Sequence, residues 1–168
     1  PTDALPILSG LFDGQFEPAE CATNIEDIAR WCCRGGWPAN LDLDDEFALE
    51  IPSEYIKSVL DISVPKMNKN PETARALMRA LAVNVSQAPK YATLAADMAY
   101  GDERREPDTQ TVKSYLGMLK DLYLLTDLEG WEPPLRAKSR VRTKPKRYFV
   151  DPSLPAAVLG AAPNTLMR

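Results

Sequence analysis

Apolar residues recur at helical spacing in several stretches of the chain, and capping or helix-breaking residues separate these stretches. The clearest stretch begins at Asn70-Pro71-Glu72, which places a capping side chain, a first-turn proline and an acid at the start of a helix. Apolar residues then form a wide stripe over three turns: Ala74, Leu77, Met78, Leu81, Ala82 and Val85. This pattern predicts a core helix that packs against other helices.

Shorter helices are predicted on both sides of it. Thr23 and Glu26 have the spacing of a capping box, and Gly35-Gly36 supplies a stop for the helix that follows them. Apolar spacing predicts two more helices, one near residues 53–62 and one near residues 92–100.

Residues 108–151 predict a helix, a strand, a basic loop and a second strand. Asp108 can cap the helix, whose buried stripe is predicted to be Val112, Tyr115, Leu116 and Leu119. The strands are predicted from about Tyr123 to Leu128 and from Arg147 to Val150, before a short helix that Gly160 ends. The predicted fold class is therefore mainly α with a minor α+β component: a helical bundle with a winged helix-turn-helix and a two-stranded wing.

The length of 168 residues suits one domain or two small ones that share an interface. We predict an N-terminal helical subdomain over residues 1–65 and a winged helix-turn-helix subdomain with a short C-terminal helix over residues 66–168. No apolar run approaches the ~20 residues that a membrane helix needs. We therefore expect no membrane partner and a cytoplasmic location, while the oligomeric state stays open.

Charge is distributed unevenly along the chain. The net charge is −4, from 20 Lys and Arg against 24 Asp and Glu. The stretch from Pro133 to Arg147 nevertheless holds seven cations and no acid. The chain is thus predicted to have a positive arm on an acidic body.

The residue types argue against an enzyme. The chain has no histidine, which excludes Ser–His and Cys–His pairs and His-ligated zinc, and its three cysteines lack metal-ligand spacing. It also has no P-loop motif. An EF-hand reading of the acids from Asp42 to Glu46 fails because Phe47 and Ser53 would occupy the positions that need Gly and Glu. We expect a solvated acidic loop there, and no catalytic residue, metal or cofactor in this chain.

DNA is the partner that the winged helix pattern suggests, because the third helix of such domains enters the major groove and the wing lies along phosphate or the minor groove. The predicted contact residues are Thr109, Gln110, Lys113 and Ser114 on the helix, and Arg136, Lys138, Arg140, Arg142, Lys144, Lys146 and Arg147 on the wing. Gln110 suits a base edge, whereas Thr109 and Ser114 suit phosphate. The pI near 5.0 argues against DNA binding. The basic loop could instead bind the phosphates of a nucleoside triphosphate or an acidic surface of another protein.

Gly117 on the same helix has two readings, since glycine inside a helix costs ~1 kcal/mol relative to alanine. Either a large partner approaches that face closely, or the glycine is merely tolerated.

Three segments resemble one family. They are Asp108-x-x-Thr111-Val-x-x-Tyr115-Leu-x-x-Leu119-x-Asp121-Leu, Trp131-x-Pro133, and Pro145-Lys-x-Tyr-Phe-Val-Asp-Pro-x-Leu154. They resemble the domain of unknown function that follows the ATPase core in many bacterial and archaeal AAA-type ATP-binding proteins. The turn Arg34-Gly-Gly-Trp-Pro38 is similar to the family's upstream Gly-Gly-x-Pro turn, and the resemblance runs over residues 24–160.

The resemblance implies a longer parent with an N-terminal P-loop ATPase and a C-terminal nuclease-like region. ATP and Mg²⁺ are then expected only in that N-terminal domain, and the ATPase core of the same chain is a second expected partner. The expected function is a non-catalytic binding module that contacts double-stranded DNA. The alternative is a regulatory domain that packs on the ATPase core and supplies an Arg to its nucleotide site.

Overall fold

The computed structural model describes residue 10, residues 13–14, 22–100, 105–130 and 144–167. These parts form helices and one small antiparallel sheet of two strands, so the mainly helical fold class with a two-stranded element is confirmed. No helix in these described ranges is both long and apolar enough to cross a membrane.

The N-terminal elements are α1 (Ile25–Arg34), a 3-10 turn (Pro38–Asn40) and α2 (Asp45–Ala48). The capping box of α1 lies one residue later than predicted. The side chain of Asn24 accepts from the N–H of Asp27 at 2.9 Å, and the Asp27 carboxylate accepts from the N–H of Asn24 at 3.1 Å. Asparagine caps a helix as well as serine or threonine does, so the neighbouring pair takes the role that Thr23 and Glu26 were predicted to have.

The next helical run is longer than the predicted helix near residues 53–62. It comprises α3 (Ile51–Ser58), a π-helical turn (Val59–Ser63) and α4 (Val64–Lys66) without a break between them. Pro52 occupies the first turn of α3, where a missing N–H costs nothing, so the run can begin ahead of it.

Three longer helices follow: α5 (Pro71–Val83), α6 (Tyr91–Ala99) and α7 (Thr109–Asp121). Asn70 and Asp108 cap α5 and α7 as predicted, because their side chains accept from backbone N–H groups of the first turn. The apolar stripe of α5 is confirmed except at its end. Val85 lies beyond the helix and is exposed.

Strand β1 (Leu125–Leu128) pairs with β2 (Lys146–Phe149), with Leu125 opposite Phe149. The outer edge of β2 bonds a short segment between α5 and α6. The N–H of Ser86 donates to the carbonyl of Arg147 at 3.1 Å, and the N–H of Arg147 donates to the carbonyl of Gln87 at 3.0 Å. The chain ends with α8 (Ser153–Leu159), which Gly160 terminates as predicted, and α9 (Pro163–Leu166).

The core is one continuous hydrophobic cluster with α5 at its centre. Leu77 and Met78 of α5 are fully buried, and side chains from α3, α6, α7 and α8 join the same cluster. Leu60 belongs to the predicted N-terminal subdomain and Leu119 to the predicted winged subdomain, yet both lie in this cluster. The two predicted subdomains therefore share a core.

A polar contact between residues far apart in sequence joins the end of α1 to the start of α8. The Asp151 carboxylate accepts from the N–H of Gly36 at 2.8 Å, and from the N–H and hydroxyl of Ser153 at 2.8 and 2.6 Å. The indole N–H of Trp37 donates to the same Ser153 hydroxyl at 3.0 Å. Because Ser153 is completely buried, these bonds satisfy polar groups that would otherwise destabilise the fold.

A second polar contact organises the acidic loop. The Asp45 carboxylate pairs with Arg30 at 3.0 Å and with Arg34 at 2.6 Å, and Arg34 also donates to the carbonyl oxygens of Asn40, Leu41 and Leu43. The expectation of a solvated acidic loop is therefore wrong at Asp45, because two guanidinium groups of α1 hold that carboxylate. Partial burial of Asp45 opposes its charge, but hydrogen bonds from Arg30 and Arg34 outweigh that effect and lower its pKa.

We predict that Gly35→Ala destabilises the protein by about 2–4 kcal/mol, because the change combines a backbone of positive φ and extended ψ, which essentially only glycine adopts, with a steric clash. Gly35 has φ +76°, and a β-carbon there would lie 2.5 Å from an Asp151 carboxylate oxygen and 2.7 Å from the Trp37 indole nitrogen. Gly160→Ala is the matched control, since Gly160 has φ +63° but no atom within 4 Å of the added carbon.

The control should cost only about 1–2 kcal/mol, the cost of the backbone conformation. Urea unfolding followed by circular dichroism measures both variants. Equal losses for the two alanines would contradict the contact around Asp151.

We predict that the ion pairs of Asp45 stabilise the protein at neutral pH and not in acid. The pKa of Asp45 is lowered in the folded state, so its contribution is present above the unfolded pKa of about 3.9 and is lost as the pH falls through the lower folded value. Asp45→Asn should therefore reduce the free energy of unfolding at pH 7, and the difference from wild type should shrink as the pH falls below the unfolded pKa of about 3.9. A difference that is independent of pH would rule out the charge as its cause.

Candidate nucleic-acid interface

Helix α7 presents one polar face to solvent because its other face is buried. Val112, Tyr115, Leu116, Met118 and Leu119 lie in the core. The predicted contact residues Thr109, Gln110, Lys113 and Ser114 are all exposed, in agreement with the helical spacing. These four side chains occupy the N-terminal half of α7, and Gly117 continues the exposed face by one turn.

Gly117 adjoins open space. A β-carbon at this position would have no atom of the described protein within 4 Å. No contact inside the described chain therefore requires a glycine here. The two interpretations, close approach of an outside partner and a merely tolerated glycine, both agree with this geometry.

Lys113 and Arg147 both approach the ring of Tyr91, the first residue of α6. The Lys113 ammonium lies 5.3 Å from the ring centroid, and the Arg147 guanidinium carbon lies 5.4 Å from it. Both distances fit cation–π attraction. Tyr91 therefore connects the exposed face of α7 to strand β2 of the two-stranded β1–β2 ribbon.

Arg147 is 8% exposed, unlike the other predicted wing residues that the structure describes. Its guanidinium donates to the carbonyl of Pro89 at 3.0 Å, so this side chain holds β2 against the segment before α6. Its Nε, and the Oδ1 of the cross-strand residue Asp127, are buried without a hydrogen-bond partner. Asp127 pairs instead with Lys120. The positive charge of Arg147 is consequently not neutralised by an ion pair within the described chain.

Lys69 joins this surface although the sequence did not suggest it. Its ammonium donates to the Ser114 hydroxyl at 2.6 Å and lies 5.1 Å from the centre of the Tyr115 ring. The Tyr115 hydroxyl in turn accepts from the N–H of Asn70 at 2.9 Å. The loop before α5 thereby adds a cation beside the exposed face of α7, and only the tertiary packing brings the two together.

The described part of the predicted wing contributes two exposed cations, Lys144 before β2 and Lys146 at its start. The remaining predicted wing residues, Arg136, Lys138, Arg140 and Arg142, lie outside the described residues. Acids border the surface at Asp121 and Glu129, which are both exposed.

The N-terminus of α7 already carries an anion. The Asp108 side chain accepts from the N–H of Thr111 at 2.6 Å, and its hydrogen bonds to Thr111 lower the pKa of the Asp108 carboxyl. A charged carboxylate at this end satisfies the helix dipole and repels a phosphate. An anion near this helix would therefore bind to the flanking cations Lys113 and Lys69 and not to the N–H groups at the start of α7.

The described residues hold no cluster of metal-ligating side chains. The buried thiol of Cys33 has a pKa raised by desolvation and by the neighbouring Cys32, which keeps it protonated and weakly nucleophilic.

Comparison with known proteins adds a family but no activity. The chain matches the model of a domain of unknown function, DUF8612, over residues 25–165. No curated protein and no solved structure matches it. The predicted resemblance to a domain of unknown function is supported at that level, and the predicted relation to AAA-type ATPases stays a prediction. Since the match covers most of the chain, the protein belongs to the DUF8612 family of domains of unknown function.

Proposed function

We propose that this chain is a non-catalytic module that binds double-stranded DNA, with α7 as its recognition helix and the β1–β2 ribbon as its wing. The observation that carries the proposal is the exposed polar face of α7, where Gln110, Lys113 and Ser114 lie beside open space at Gly117. A helix with one face anchored in the core and a polar face exposed to solvent suits the major groove.

The ribbon supports a winged arrangement. It follows α7 directly, and its edge is held by the two backbone bonds between Arg147 and the segment Ser86–Gln87. The Tyr91 ring adds contacts to both Lys113 and Arg147. The base of the wing and the recognition helix are therefore linked through α6, which suits two elements that must contact one duplex together.

Residue chemistry divides the proposed contacts into two kinds. Gln110 can form paired hydrogen bonds to adenine, so it is assigned to base recognition. Lys69, Lys113, Lys144 and Lys146 are assigned to phosphate, as are the wing cations outside the described residues. Lys69 joins the set predicted from the sequence, and Arg147 is assigned to positioning the wing, because its side chain is buried.

The wider setting belongs to the same proposal. We infer a cytoplasmic ATP-binding parent of the AAA type, with ATP and Mg²⁺ confined to its ATPase core. If DNA were not bound, and single replacement of Arg136, Arg140 or Arg142 lowered ATP turnover by that parent, a regulatory module on the ATPase core would be supported instead.

We predict a salt-dependent affinity for duplex DNA. If ~4 of the eight cations assigned to phosphate bind it at the same time, log K falls with log[salt] at a slope of about −3 to −4. Lys113→Ala should weaken binding to all sequences alike and reduce the magnitude of this slope by about 1. Fluorescence polarisation with a labelled duplex measures both quantities.

Arg79→Ala is the matched control for that experiment, because Arg79 is an exposed cation on α5 and not on the proposed surface. It should leave affinity and slope unchanged. Equal effects of the two alanines would show that only overall charge matters, and absence of binding at low salt would refute the proposal.

We predict that Gly117→Ala raises the free energy of unfolding by about 0.5–1 kcal/mol, since the added methyl group meets open space and alanine favours helix. Gly117→Glu should also fold, yet it should weaken DNA binding by placing a negative charge on the proposed surface. Urea unfolding and fluorescence polarisation measure the two effects. A folded Gly117→Glu variant with wild-type affinity would exclude this face of α7 from the interface.

A further inference from the structure

A groove of about 350 Å³ lies between α3 with its π-helical turn, α5 and α8. Its floor is apolar, and the floor residues are Ile56, Leu60, Met78, Ala157 and Val158. The first three of these belong to the buried core. The volume is at the lower end of the range of small-molecule pockets, so the groove suits a ligand of modest size.

Charged side chains stand at the rim of this groove. Lys57 and Asp61 come from the α3 run, and Arg75 faces them from α5. Within the described chain neither Arg75 nor Asp61 has an ion pair or a hydrogen bond from its side chain, and Lys57 only approaches Glu54 at 4.0 Å on the surface. The guanidinium and the carboxylate at the rim therefore remain open to an outside ligand.

The π-helical turn supplies both kinds of lining. Leu60 of this turn is fully buried in the floor, and Asp61, the next residue, is exposed at the rim. π-helical turns are rare, occur mostly as single turns within α-helices, and are frequent at functional sites. The departure from regular helix thus coincides with the wall of the groove.

We propose that this groove binds a small carboxylic acid with an apolar body, such as an aromatic or aliphatic acid. Its apolar body would cover Ala157, Val158 and the accessible edge of Ile56, and its carboxylate would accept paired hydrogen bonds from the planar Arg75 guanidinium. Asp61 is suited to accept a bond from an amino or hydroxyl group on the ligand, and it disfavours ligands with several negative charges. The groove lies on α3, α5 and α8, so this proposal is independent of DNA binding by α7.

Isothermal titration calorimetry of the folded chain tests the proposal with 4-phenylbutyrate, phenylalanine and the neutral control 4-phenylbutanamide. The two acids are expected to bind, and the amide, which keeps the apolar body but lacks the charge, is expected to bind about tenfold more weakly or not at all. Arg75→Gln should weaken the acids by about tenfold, whereas Arg79→Gln, one turn along the same helix and outside the groove, should not.

Ala157→Phe should abolish binding by filling the groove from its partly exposed wall. If that variant fails to fold, the comparison of Arg75→Gln with Arg79→Gln still decides. No heat with either acid, equal affinity for 4-phenylbutyrate and its amide, or equal effects of the two glutamine variants would each overturn the proposal.

Discussion

Burial of one face of α7 is the constraint on which the proposed interface depends. Val112 and Leu119 are fully buried, and the Tyr115 hydroxyl accepts a hydrogen bond from the backbone that begins α5. With 3.6 residues per turn, these anchors determine which side chains point outward. Rotating α7 enough to hide Lys113 would expose Leu119, and burying a leucine is worth about 1.5–3 kcal/mol. The polar face is therefore held in place by the core.

The elements around α7 are held by polar contacts between distant parts of the chain. The Asp151 carboxylate joins the turn after α1 to the start of α8. Only Val150 separates Asp151 from the end of strand β2. At the edge of β2 that faces away from β1, Arg147 forms hydrogen bonds with the segment between α5 and α6 through both its backbone and its side chain. The ribbon is thus fixed at both its edge and its end. Such fixing is consistent with the proposed role of the ribbon as a wing that keeps one orientation relative to α7.

Local signals predicted most of the helices, because their causes lie within a few residues. Asn70 with Pro71 starts α5, Asp108 caps α7, and Gly160 ends α8, and in each case the cap and the helix it bounds are neighbours in sequence. The exposure of the four predicted contact residues of α7 followed from helical periodicity in the same way. The contacts of Asp151 and Lys69 could not be predicted, since each depends on segments brought together only by folding.

For Arg147 two sequence patterns conflicted, and the prediction followed the misleading one. Strand alternation places it on the same face as Phe149, which predicts an inward side chain, but its position in a basic run suggested a surface role. Asp45 illustrates the same error with the opposite charge. A run of like charges describes the average environment of a segment, and the individual residue within it can still point to a partner in the fold.

The central claim is that the exposed face of α7 is where DNA binds, and chemical-shift mapping of the ¹⁵N-labelled chain tests it most directly. On titration with a duplex at low salt, we predict that amide shifts concentrate at Gln110, Lys113, Ser114 and Gly117, with further shifts at Lys144, Lys146 and Arg147. Resonances of α1 and α2 should stay in place. Shifts confined to α1 and α2, or no shifts at all, would contradict the account.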